Sequence, residues 1–343
     1  MHNPASVIYP FILTILLAVL GGCASPEAGS GKPAWINGNS QAYPTEHYLI
    51  GRGEADHAAV ARDRARADLA KVFEVRISEQ SRDITEYSST TGSGEQTRAS
   101  LESAISRQIS TRTDQTLSHI QIAEIWQDPE TGRHYALAVL DRLKAGQQLR
   151  EEIRHLDTLT ASAIDAARQQ DNILRQLGEA NRAIETQLQR RALQRQLQVI
   201  DPAGIGVRNR YNLGQLLQDR RELARRIRIQ TQIKQDSSGQ LQALIDGALA
   251  EAGFSQVNDN ANFRLDAYLD LSTFPEQNWY WIHGTLQIVL TSLTDNTVQG
   301  SHRWEVKQAA SRPLLARQRA LDNLNERLNR ELRNIIIGFA DAK

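Results

Sequence analysis

The chain has a single cysteine, Cys23, and its position limits what the rest can become. It stands directly after Leu20-Gly21-Gly22, at the end of a nearly unbroken apolar run over residues 8–20. That run is shorter than the about 20 residues a helix needs to cross a bilayer, and it suits the apolar core of an export signal. Small residues before a cysteine are what a lipoprotein signal peptidase cuts once the thiol carries diacylglycerol. The sequence therefore predicts a lipoprotein signal peptide over residues 1–22 and lipidation, palmitate included, at Cys23. The stretch before the apolar run departs from the usual pattern in having no lysine or arginine. With Cys23 acylated no thiol is left, so disulfides, thiolate metal sites and cysteine nucleophiles are excluded. Ala24 rather than aspartate follows, which favours the outer membrane, with the chain facing the periplasm. Several acyl chains make such an anchor stable, and the small, polar residues 23–32 read as its tether.

At 343 residues the chain can hold two cores. Lysine plus arginine number 40 and aspartate plus glutamate 40, so no cationic excess supports nucleic-acid binding. The fold class expected is α+β in three parts. Residues 33–143 form a small α+β unit. Tyr48, Leu49 and Ile50 make a strand that turns at Gly51-Arg52-Gly53, and Ala58, Ala61, Ala65, Leu69 and Val72 follow at helical spacing. Phe73, Val75 and Ile77 alternate as a strand. Residues 88–95 are a loop, Leu101, Ile105 and Ile109 sit on a second helix, and a hairpin turns at residues 128–132. Residues 144–200 form a glutamine- and arginine-rich helical arm whose apolar seam is interrupted by Thr160, Gln170 and Asn181. The arm is either one rod on the order of 80 Å, at about 1.5 Å per residue, or an antiparallel hairpin turning near Gln170, with Asp171 as cap. The hairpin is preferred. Residues 201–343 form a second α+β unit of β-α-β-β-β-α order, with Gly253 stopping its first helix, Asp295-Asn296 turning a hairpin and Ser311 capping the last helix.

Several pieces of the first unit are distinctive together. They are Pro33-Ala34-Trp35, Tyr43-Pro44, the run from Tyr48 through Gly51-Arg52-Gly53-Glu54-Ala55, the alanine-rich helix, Glu124-Ile125-Trp126, and the strand from Tyr135 to Asp141. With the cysteine motif they resemble the Lpp-twenty lipoprotein family, over roughly the first third of the chain. The resemblance implies a small periplasmic domain related to the N-terminal domain of flagellar assembly protein T. It implies no shared catalytic residues.

No catalytic constellation stands out beside it. Gly51-Arg52-Gly53 lies where a phosphate turn could lie, but it has no third glycine and acidic neighbours in Glu54 and Asp56, so it reads as a structural turn. His47, His57, His119, His134, His283 and His302 show no metal-ligand spacing; His283 and His302 could meet across a hairpin, but read as exposed strand residues. Asp266 and Asp270 alternate on the polar face of a strand. Arg220, Arg221, Arg225, Arg226 and Arg228 form a basic run best read as a solvated helix face. Trp279 and Trp281 share a strand face that Trp304 could join, either as a partner surface or as part of the core. No cofactor, metal or nucleic acid is expected. The expected role is a non-catalytic structural or assembly factor of the cell envelope, in a flagellar or secretion setting, held by its lipid and meeting an envelope protein or peptidoglycan. The alternative is an accessory regulator of a cell-wall synthase or hydrolase. A long rod would favour the alternative and a compact hairpin the assembly role.

Overall fold

The computed structural model describes residues 31–38, 40–88, 103 and 117–340. The expected loop at 88–95 and the second helix near Leu101 lie outside these, save for Ser88 and Ser103.

The first unit is a three-stranded antiparallel sheet in the order β1-β3-β2, built from β1 (Tyr48–Ala55), β2 (Gln121–Gln127) and β3 (His134–Asp141). Helix α1 (Ala58–Ser88) covers one face. Two expectations fail here. Gly51 and Gly53 are no turn, because β1 runs straight through them with Gly51 opposite Ala138 and Gly53 opposite Ala136. They are glycines because the helix lies backbone to backbone on the strand. A Cβ on Gly51 would come within 2.4 Å of the Leu69 nitrogen, and one on Gly53 within 2.2 Å of the Ala61 carbonyl. Phe73 and Ile77 are not on a strand either. They extend the buried stripe Ala61, Ala65, Leu69 in steps of four, while Val75 points outward at 47% exposure. The sheet's second face is roofed by a short 3₁₀ turn, η1 (Ala34–Ile36), whose Trp35 packs on Leu137 and Val139.

Helices α2 (Arg142–Gln169) and α3 (Ile173–Ile200) fold back on each other as a hairpin. Its turn lies at Gln170, as expected, but the cap is Asn172 rather than Asp171. The Asn172 side chain accepts from the amides of Leu174 and Arg175 at 2.8 and 3.3 Å. Buried polar residues of the seam find partners within the hairpin and in the segment that follows it. Arg190, fully buried, donates to Asp157 at 2.8 Å, to Asn209 at 2.6 Å and to the Arg208 carbonyl at 2.9 Å, and Gln187 donates to Thr160 at 2.9 Å. The base of the hairpin adds Leu149, Ile153, Leu193 and Leu197 to the first core, and its tip adds Leu174 and Leu177 to the second. It is a strut shared by two cores.

The second unit follows as α4 (Leu213–Arg226), β4 (Arg228–Asp236), α5 (Leu241–Ala252), the two-residue β5 (Ser255–Gln256), β6 (Phe263–Glu276), β7 (Trp279–Ser292), β8 (Val298–Ala310) and α6 (Pro313–Gly338). The sheet order is β5-β4-β6-β7-β8, parallel around β4 and antiparallel from β6 onward. Gly253 ends α5 in the left-handed region at φ 86°. Ser311 does not cap α6, which starts from Arg312 with Pro313 in its first turn and no side-chain cap. Leu321, Leu324, Leu328, Leu332 and Ile336 lay α6 along one sheet face.

Candidate functional site

The functional question centres on β6 and β7, which stay paired for fourteen positions, from Phe263 opposite Ser292 to Glu276 opposite Trp279. Gln277 and Asn278 join them with φ of 47° and 65°, the two-residue turn that matches strand twist. Strand β4 follows β6 only as far as Leu269. Beyond that point β6 is an edge, which is why Pro275 is tolerated within it.

Alternation divides this hairpin into two unlike faces. Ile282, Leu286, Ile288 and Leu290 point to the helices and are buried. Trp279, Trp281 and His283 point the other way, with Phe274 directly opposite Trp281. Phe274 is 52% exposed and Trp279 49%. The Phe274 and His283 rings lie 5.9 Å apart, those of Trp281 and His283 6.2 Å, and the Lys307 ammonium sits 5.5 Å from the Trp281 ring. Among the described residues no layer covers this cluster. Nearer β4 the same face turns ionic: Asp266, nearly buried, is held by Arg264 at 3.1 Å and Lys234 at 3.6 Å.

Trp304 does not join Trp279 and Trp281. It lies opposite Leu286 on the helix-covered face, 1% exposed, and donates its indole N–H to Glu331 at 2.9 Å. The cause is a bulge. Thr291 pairs with Val298 but Leu290 pairs with Gly300, so Gln299 is the extra residue. Had β8 kept the register of Val298 opposite Thr291, with Gln299 paired to Leu290, Trp304 would face Thr285 on the outer side; leaving Gln299 unpaired turns the rest of β8 over. His283 and His302 are separated likewise, His283 opposite Lys307 and His302 edge-on to Trp304 with ring centres 4.5 Å apart.

The sequence reading of the aromatic face holds only Trp279, Trp281 and Trp304; Phe274, His283 and Lys307 join it through the cross-strand register, which brings Phe274 opposite Trp281 and Lys307 opposite His283. The available signal was a Pro275 edge residue followed by Asn278. Cys23 lies outside the described residues. Among those described, no group of three or more His, Cys, Asp or Glu could hold a metal, and no helix is long and apolar enough to cross a membrane.

Residues 33–141 match the model of the LPP20 lipoprotein family, the family the sequence resembles. No curated protein matches the chain. Among solved structures, it is similar to the secreted protein HP1454 of Helicobacter pylori, at 13% identity and a TM-score of 0.42, over 86% of this chain and 98% of that one. A minor lipoprotein of Acinetobacter baumannii is similar at 10% identity and a TM-score of 0.27, over 32% of this chain and 91% of that one. The N-terminal unit, with its sheet β1-β3-β2 and helix α1, is the part of the chain that matches the LPP20 lipoprotein family model.

Proposed function

We propose that the chain is a non-catalytic outer-membrane lipoprotein, anchored through acylated Cys23 and facing the periplasm, that docks an envelope protein on the aromatic end of its β6–β7 hairpin. The observation that carries this reading is the uncovered cluster of Phe274, Trp279 and Trp281 at a projecting strand end. Large aromatic side chains are the usual anchors of protein interfaces, and Phe274 and Pro275 offer nothing for the hydrogen bonding a glycan would need. The folded hairpin α2–α3 supports assembly over the regulator reading, since helices locked into two cores lack the reach that delivering a domain across the periplasm requires. A flagellar or secretion apparatus is the setting we favour.

A photoreactive amino acid placed at Trp279 in living cells tests the reading. A discrete adduct should form, and should vanish when Phe274 and Trp281 are changed to serine. The same probe at Leu314, 81% exposed on α6, should give none. Equal labelling at both positions, or no adduct at Trp279, would contradict it.

A further inference from the structure

A second feature lies on the other side of the molecule, where the hairpin tip, α4, α5 and α6 converge. A cavity of about 140 Å³ opens there. Its floor includes Leu177 and Phe254, and its walls carry Arg220, Arg221 and Arg225 from α4 and Arg333 from α6. The basic run is thus not wholly a solvated face, because Arg220 turns inward.

Two of these guanidiniums are fixed in place. Arg333 donates from Nε to the Ala252 carbonyl at 2.9 Å and from Nη2 to the Glu251 carbonyl at 2.6 Å, holding the last turn of α5. Arg220 donates from Nη1 to Asn181 at 3.4 Å. Among the described residues none of the four arginines forms an ion pair. That is unusual, since an enclosed charge is costly unless a countercharge meets it. The cost is visible at Arg220, whose pKa is pushed down to about 10, first by burial and then by the like charges of Arg333 and Arg221. A guanidinium fork pairs with oxyanions in a bidentate way. A water takes up about 30 Å³ in the liquid, so the space suits a group of a few heavy atoms.

We propose that this cavity is an anion site that takes a phosphate group, with Arg220 and Arg333 as its fixed ligands and Arg221 and Arg225 closing over it from the exposed rim. The source is either free phosphate or a phospholipid headgroup, whose adjoining apolar carbons would meet Leu177 and Phe254. The site is independent of the aromatic hairpin, which lies on another face of the sheet.

Thermal unfolding of the full chain in neutral detergent tests it. Inorganic phosphate at 10 mM should raise Tm by about 3 °C over sodium chloride of equal ionic strength. A second arm adds phosphatidylglycerol or phosphatidylcholine to the micelles. A shift with phosphatidylglycerol alone assigns the site to a lipid headgroup; a shift with inorganic phosphate assigns it to a free anion. Arg220→Gln should melt no lower than wild type in chloride, because it removes an uncompensated cation, yet lose at least tenfold in phosphate affinity. Should that variant fail to fold, the double change of the exposed pair, Arg221→Gln with Arg225→Gln, should weaken the response severalfold. No shift with either source, or an undiminished shift in the folded variants, would overturn the proposal.

Discussion

The two sheets of this molecule treat their aromatic residues in opposite ways. Each is packed on one face by helices. On the other face of the first sheet, Trp35 folds over Leu137 and Val139, donates its indole N–H to Glu124 at 2.7 Å and is left 4% exposed. The Arg52 side chain ties that roof down by donating to the Trp35 carbonyl at 2.6 Å. On the corresponding face of the second sheet, Trp279 and Phe274 stay half exposed, and no described segment returns to cover them. A fold gains stability by burying such rings. The first unit has a segment that does so and the second does not, which is why we read the second cluster as a surface kept for a partner.

The difference can be broken from either side. Trp35→Ala should remove the roof and cost about 3–5 kcal/mol, the range for large aromatic truncations in cores, read by urea unfolding. Asp157→Ala sharpens the question of whether the two units respond together. It leaves the Arg190 guanidinium buried with one fewer partner, and losses of about 3 kcal/mol follow when one half of a buried pair is removed. If the strut couples the units, hydrogen exchange should quicken in both. Gly53→Ala places a methyl against the Ala61 carbonyl and should cost about 1–3 kcal/mol as overpacking, confined to the first unit.

A smaller effect concerns the covered tryptophan of the second sheet. The Glu331 carboxylate that holds Trp304 is kept below the usual carboxylate range, chiefly by its hydrogen bond from Arg330, against the opposing cost of burial, and helped by Trp304 itself. A depressed folded-state pKa adds stability that is complete above the unfolded value and is lost as pH falls through the folded one. Wild type and Glu331→Gln should therefore differ above about pH 5 and converge in more acidic melts. Trp279→Ala should change stability least, by no more than about 0.5 kcal/mol, although it deletes the same side chain as the first variant.

Much of this architecture was legible in the sequence. The alternation through Leu265, Ala267 and Leu269, the heptad-like stripe of α6 and the Gly253 stop each obey one period or one cap rule, so they read directly. The errors arose where two local rules coincide. Phe73, Val75 and Ile77 alternate like a strand, while Phe73 and Ile77 also continue the helical stripe of Ala61, Ala65 and Leu69, and only the close seat of α1 on β1 decides between them. A glycine that permits a turn looks the same in sequence as one that permits close approach, so only the packing of α1 on β1 distinguishes the two at Gly51 and Gly53. The face of Trp304 was unreadable for a different reason. It depends on one extra residue, Gln299, and a bulge leaves no local signature while inverting every side chain beyond it. The arginine cavity was hidden because its lining comes from four separate elements, and the run Arg220-Arg221 alone looks like any solvated helix.

Oxidative footprinting of tryptophan and phenylalanine by hydroxyl radicals tests the central contrast most directly, applied to intact envelopes and to the detergent-purified protein. Trp35 and Trp304 should be protected in both samples. Phe274 and Trp279 should be oxidised readily in the purified protein and protected at least severalfold in envelopes, where the docked partner covers them. Equal oxidation of Phe274 and Trp279 in the two samples would show that the aromatic end stays bare in the cell, and would contradict the account.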